Sequence, residues 1–325
     1  MSGAGGARLD RRGWLAAAGA LALAGPARAQ GFDAFLDEIR AAARARGVRA
    51  ATVDAALAGL GPDARVVELD RRQPEGRITF GEYRRRVVSD ARIRTGRARL
   101  AEHRTLLDAA GRDFAVQPRV IVALWGIESS FGRVTGDFSV VRSVATLAHD
   151  GRRRELFTGE LLAALEILDR TPLTAPRLLG SWAGAMGQAQ FLPSTYLAHA
   201  VDRDGDGWAD IWASRADVFG SMANYLAAIG WRPGWRWGRA VNRPGGFAEL
   251  PRGREDKRPL AWWAEQGLRR ADGGPLPVAD AAAGLVVTDD GAGPAFLVYD
   301  NFDVLMRWNR STYFALSVGL LSDSF

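Results

Sequence analysis

The sequence predicts a mainly α protein of the α+β type, and three observations carry that expectation. Apolar residues recur at helical spacing from Phe32 to Leu168, with Phe32, Phe35, Leu36 and Ile39 forming one stripe. After Trp231 the composition shifts to glycine, proline, tryptophan and short β-prone runs that continue to Tyr299. Helical patterning then returns over Phe302–Leu321. Together they describe a helical chain carrying a small inserted mixed α/β module.

In chain order, Arg11 and Arg12 precede an apolar run ending at Ala24, and Ala27-Arg28-Ala29 offers small residues around a cut before Gln30. This reads as an export signal of the twin-arginine kind, too short in its apolar run to span a membrane comfortably. From Phe32 to about Arg112 the chain is helical and rich in alanine and arginine, with a break at Gly59–Pro62 and a connecting loop over Asp70–Thr79 that contains Pro74 and Gly76. Arg84–Leu100 reads as one long basic helix, solvated apart from one buried edge; polyanion binding along Arg84, Arg85 and Arg86 is the alternative. Leu106–Leu168 continues as helices, with His149 expected in a loop or cap, and Pro172 and Pro176 end the run. In the inserted module, Trp235–Val241, Gly284–Val287 and Ala295–Val298 read as strands and Pro259–Arg269 as a short helix.

Composition narrows the function classes. With 47% hydrophobic and 25% charged residues in 325, the chain is long enough for two or three packed units. The net charge is +6, but the leader supplies three of those charges, so the mature chain is only mildly basic. No cysteine is present, which excludes disulfides, thiolate metal sites, a cysteine nucleophile and lipidation of an N-terminal cysteine. No nucleic-acid reader motif stands beside the arginines.

The segment Val120–Gly132, VIVALWGIESSFG, is apolar on every face up to Ile127, so the helix should be enclosed by protein. Pro118 suits its first turn and Gly132 its stop. Glu128 therefore ends a buried helix, where lost hydration and the helix dipole both disfavour its charge. A raised pKa is expected, as a general acid needs near neutral pH. A carboxylate that merely holds loop amides is the alternative.

Two further segments carry chemistry. Leu179–Tyr196 combines Gly180, Gly184 and Gly187 with Ser181, Gln188 and Gln190 and the flat faces of Trp182, Phe191 and Tyr196. Neutral polar groups and aromatic rings of this kind suit an N-acetylated sugar, or else a packing turn between helices. In VDRDGDGWADIW, Asp202, Asp204 and Asp206 alternate and Gly207 follows at the sharp turn of an EF-hand loop, with Trp208 placed to offer a backbone carbonyl. Ala213 stands where that loop needs a glutamate, and Asp217 is the nearest replacement. Oxygen ligands favour a structural Ca²⁺; a solvated Asx-turn without an ion is the alternative.

Glu128–Gly132 (ESSFG), Ser181–Tyr196 (SWAGAMGQAQFLPSTY) and Asn224–Leu226 (NYL) resemble the B-type lytic murein transglycosylases, bacterial cell-wall enzymes with a lysozyme-like core. The resemblance runs from about Phe32 to the end of the chain. With the leader read as a signal peptide over 1–29, the chain divides into an N-terminal helical region over 30–112, a lysozyme-like core over 113–230, the small module over 231–298 and a helical return over 299–325. The resemblance implies cleavage of the β-1,4 MurNAc–GlcNAc bond, with Glu128 as sole acid and base and a 1,6-anhydro product. Ser181, Gln190, Tyr225, Tyr299 and Asn301 are implied to bind the substrate, with Tyr196 close by. Asp303 departs from the aromatic residue common in the family. No catalytic cofactor is implied. The expected partners are peptidoglycan glycan strands and cell-wall synthesis proteins, with no nucleic acid and no stable membrane anchor, for a periplasmic monomer. A hydrolytic muramidase and a non-catalytic peptidoglycan-binding protein are the rival readings.

Overall fold

A computed structural model describes residues 24–72, 78–244 and 247–325, with side chains from residue 31 onward. Residues 1–23 of the expected leader and the connector around Pro74 and Gly76 lie outside the described residues. The cut expected before Gln30 falls within the first helix, α1, Ala24–Ala45. Short helices follow: α2 Ala50–Leu57, α3 Ala64–Arg71, α4 Phe80–Val87, α5 Asp90–Glu102 and α6 Arg104–Phe114. The basic segment expected as one helix is thus two. Ser89 accepts a hydrogen bond from the Arg92 amide and caps α5, so the chain turns at Val88–Ser89.

Next come α7 Pro118–Ser129, α8 Val140–Asp150 and α9 Arg154–Arg170. Residues Val120–Gly126 of α7 are all buried, because α5, α6, α11 (Arg215–Ala228) and α14 (Thr312–Ser322) pack around it. This is the enclosure expected of a helix with no polar face. His149 is not a loop residue: it lies in the last turn of α8 and packs its ring against Phe32 and Phe35 of α1. A two-residue ladder, β1 Phe138–Ser139 against β2 Leu179–Gly180, ties the segment after α7 to the glycine-rich segment before α10, Pro193–His199.

The module after Trp231 is an antiparallel sheet of β3 Gly238–Val241, β4 Gly253–Pro259, β5 Ala282–Val287 and β6 Ala295–Val298 in the order β3-β6-β5-β4, with α12, Leu260–Glu265, beside it. Its own apolar cluster includes Leu260, Trp263, Leu285 and Leu297. β4 escapes the hydrophobic pattern because GREDKRP is an edge strand facing solvent. The last helical stretch is broken into α13, Asp300–Trp308, and α14, with Ser311 capping α14. The departure at Asp303 has a local counterpart. Lys257 of β4 donates to Asp303 at 2.7 Å and also to Asp300, while Arg254 donates to Asp303 at 2.8 Å. An ion cluster therefore fastens the edge strand to α13.

Candidate active site

Glu128 occupies the last turn of α7, and the chain reverses immediately after it. Ser130, Phe131 and Gly132 all take left-handed backbone angles, with φ of 50°, 61° and 81°. Two of these are not glycine, and left-handed conformations cost each of them about 1–2 kcal/mol, so packing must hold the turn. It does: the Phe131 ring covers the face left open by Gly126 and meets Trp125 edge-on at 5.5 Å. A side chain at Gly132 would strike the Gln188 amide, and one at Gly136 (φ 93°) would strike the Gly180 backbone. The post-helix loop thus lies directly on the Leu179–Tyr196 segment.

Gln188, almost fully buried, explains the rigidity of that junction. Its carbonyl accepts from the Trp125 indole at 2.9 Å and its amide donates to the Trp212 carbonyl at 2.6 Å. Gln190 also has left-handed angles, and its amide donates to the carbonyls of Thr135 at 3.1 Å and Gly187 at 2.8 Å. The Ser181 hydroxyl accepts from the amides of Ala183 and Ala185. Gln190 thus ties this segment to the loop after α7 and Ser181 holds its own turn, both residues being half-buried.

The Glu128 carboxyl is half-buried and accepts one hydrogen bond, from the Trp308 indole at 2.7 Å. Burial pushes its pKa up to about 7, and the Trp308 bond opposes that rise. Trp308, at the end of α13, was missed in the sequence, since nothing local marks an indole that meets a residue 180 positions away. It packs against Tyr225 at 5.0 Å and Phe191 at 5.6 Å, which brings Tyr225 to the acid's neighbourhood. Tyr83 of α4 was missed as well. Its phenol is held above its usual pKa by burial and by the nearby Glu128 charge.

Three expected residues are placed elsewhere. Asn301 is fully buried, and its amide is consumed by the turn before β3: it accepts from the Arg232 amide at 2.7 Å and donates to the carbonyls of Arg232 and Trp235. With those bonds made it has nothing to offer a sugar. Tyr299 is buried in the module and its hydroxyl accepts from Arg239 at 2.7 Å. Tyr196 donates to the Ala209 carbonyl at 2.8 Å and packs on Trp212, on the side of the acidic loop; burial raises its pKa.

In that loop, Asp202, Asp204 and Asp217 bring one carboxylate oxygen each within 4.8 Å of one another. Asp217, fully buried, accepts from the amides of Arg203 and Asp210, both at 2.7 Å. Burial lifts its pKa, the two amides oppose this, and Asp204 adds repulsion. Asp202 accepts from the amides of Gly205 and Gly207, and Asp204 from the Ser214 hydroxyl. Such an oxygen-only set suits a hard divalent cation. Asp206 lies outside the three-carboxylate group and caps the Trp208 amide at 3.1 Å, while the Trp208 ring stacks on Trp212.

Comparison with known proteins bears on this geometry. Residues 31–323 match the family described as transglycosylase SLT domain. The chain is 34% identical over 245 residues to membrane-bound lytic murein transglycosylase B of Escherichia coli (strain K12), covering 74% of this chain and 66% of that protein's length. The crystal structure of SltB3 from Pseudomonas aeruginosa in complex with NAG-anhNAM-pentapeptide matches with a TM-score of 0.86 at 44% identity, over 91% of this chain and 80% of that one. The Escherichia coli lytic transglycosylase Slt35 in complex with calcium matches with a TM-score of 0.74 at 30% identity, over 92% of each chain.

Proposed function

We propose, from the premise that this chain belongs to the transglycosylase SLT domain family, that it is a lytic transglycosylase of peptidoglycan. It cleaves the β-1,4 bond between N-acetylmuramic acid and N-acetylglucosamine and leaves a 1,6-anhydro sugar. The observation that carries this is Glu128, a half-buried carboxyl in the last turn of an enclosed helix, pushed up to about 7 by burial. Such a group is populated in both protonation states near neutrality, so one side chain can serve as acid and then as base. Protonated Glu128 gives its proton to the leaving glycosidic oxygen. The resulting carboxylate takes the proton of the muramic acid 6-hydroxyl, whose oxygen attacks the anomeric carbon and closes the anhydro ring.

Glycosidases that use water or a protein nucleophile place a second carboxylate across the bond. A relative solved in complex with NAG-anhNAM-pentapeptide supports the intramolecular route over a hydrolytic muramidase. Ser181, Gln190 and Tyr225 are assigned to sugar binding, and Trp308 to holding Glu128. Asp202, Asp204 and Asp217 are assigned to a structural Ca²⁺ that takes no part in the chemistry; a relative solved with calcium supports this reading. The leader at 1–29 supports export to the periplasm, where the glycan strands lie. No described helix is long and apolar enough to cross a membrane.

Digestion of purified sacculi followed by product masses tests the proposal. Anhydro-muropeptides, lighter by one water than hydrolytic products, are expected. Hydrolytic masses would give the activity to a muramidase, and no released fragments at all would leave a wall-binding protein.

A further inference from the structure

A cavity of about 250 Å³ opens between the inserted sheet and the turn before it. It is remote from the acid. Gln117, at the start of α7, donates to the Trp235 carbonyl in the cavity wall, whereas Glu128 is at the other end of that helix, roughly 16 Å away at 1.5 Å per residue. Trp235 and Pro277 give the cavity apolar walls, and Arg236, Arg239, Tyr299 and Asp280 supply its polar groups.

Arg239 and Tyr299 are the informative pair. Arg239 is half-buried, yet among the described residues no carboxylate comes within ion-pair distance of it. Its Nε instead donates to the Tyr299 hydroxyl at 2.7 Å, with the guanidinium 5.6 Å from the phenol ring centre. Tyr299 is only 3% exposed, and among the described residues its own hydroxyl proton has no acceptor. Arg236, by contrast, is already held by Asp323 at 2.8 Å. The cavity therefore contains a guanidinium without a counter-charge and an enclosed hydroxyl donor without an acceptor, side by side. Groups of this kind are costly to leave unmatched, and a planar carboxylate satisfies both.

We propose that this cavity binds the free carboxylate of a short peptide. The carboxylate accepts from the terminal nitrogens of Arg239 and from the Tyr299 hydroxyl, and small aliphatic side chains lie on Trp235 and Pro277. Asp280, exposed at the mouth, disfavours a doubly charged phosphate and suits an ammonium group nearby. The inference rests on the peptidoglycan reading for its source of peptide, the stem carried by the glycan. An extended five-residue peptide reaches about 17 Å, comparable to the length of helix between Gln117 and Glu128.

Calorimetric titration of the Glu128→Gln protein with NAG–NAM-pentapeptide and with peptide-free NAG–NAM tests this. The peptide-bearing ligand is expected to bind about tenfold or more tightly, as a charge-assisted carboxylate contact implies. Arg239→Gln and Tyr299→Phe should each reduce that preference severalfold and leave the affinity for peptide-free NAG–NAM unchanged. A pentapeptide with an amidated C-terminus should lose the preference too. Equal affinity for the two ligands, or a preference that survives in both variants or with the amide, overturns the proposal. So does displacement by inorganic phosphate at lower concentration than by free pentapeptide. Loss of binding for both ligands in the Glu128→Gln protein would instead count against the peptidoglycan reading itself. Tyr299→Phe retains the ring and its packing, and thermal melting of both variants identifies any failure to fold.

Discussion

Two regions of this molecule remove carboxylates from water and treat them differently. In the acidic loop, Asp217 is fully buried but accepts two backbone amides, and Asp202 accepts two more. At the end of α7, Glu128 accepts one indole and no amide. Bonds from amides favour the charged form and oppose the rise that burial gives Asp217, whereas Glu128, short of donors, is pushed up to about 7. Burial alone therefore does not define an acid. What matters is how many donors the fold supplies with it.

The sharpest break of this comparison is Glu128→Gln. If Glu128 is the proton donor, release of muropeptides should fall at least about a thousandfold, while binding to sacculi persists. Activity near the wild-type level would remove Glu128 from the chemistry.

The second test uses stability. Because the folded-state pKa of Glu128 is raised, folding takes up a proton between the unfolded value near 4.5 and about 7. The contribution of Glu128 to stability is therefore undiminished below about pH 4, declines as pH rises through that window and is lower by about 3 kcal/mol above it. Glu128→Gln lacks the titration, so urea unfolding should show it more stable than wild type at pH 8, with the gap closing at pH 4. A gap independent of pH would contradict the perturbed carboxyl.

In the acidic loop, Asp217→Asn turns one amide acceptor into a donor facing a buried N–H. Unfolding free energy should fall by about 2 kcal/mol, and added Ca²⁺ should no longer raise the melting temperature. An unchanged calcium response would separate Asp217 from the cation. The smallest effect is expected for Trp308→Phe, which removes the one bond that favours ionised Glu128. Turnover near neutrality should drop about tenfold, and the alkaline limb of the pH–rate profile should move to higher pH. A limb that moves down would mean that Trp308 acts otherwise than through this bond.

Much of the fold is written locally. The unbroken apolar run of α7, the β-prone Ala295–Val298 and the alternating Asp202 and Asp204 each needed only neighbouring residues to be interpreted. Helix breaks at Ser89 and Ser311 were missed because the apolar spacing continues past them and only the caps reveal the turn. The site was less legible. Glu128 is marked by its own helix, but its indole partner arrives from α13 and Tyr83 from α4, and no short-range pattern links them. Asn301 shows the converse: the family resemblance implied a ligand contact, and only the Arg232–Trp235 turn reveals that backbone groups consume it.

The ion cluster between β4 and α13 has a practical consequence. Lys257 is the sole lysine of the chain, and its amine is occupied by Asp300 and Asp303. Amine-directed dyes, cross-linkers and immobilisation chemistries will thus find little to attack on the native protein beyond its amino terminus. Any labelling that does appear at Lys257 would report detachment of the edge strand, making this one position an internal gauge of local opening.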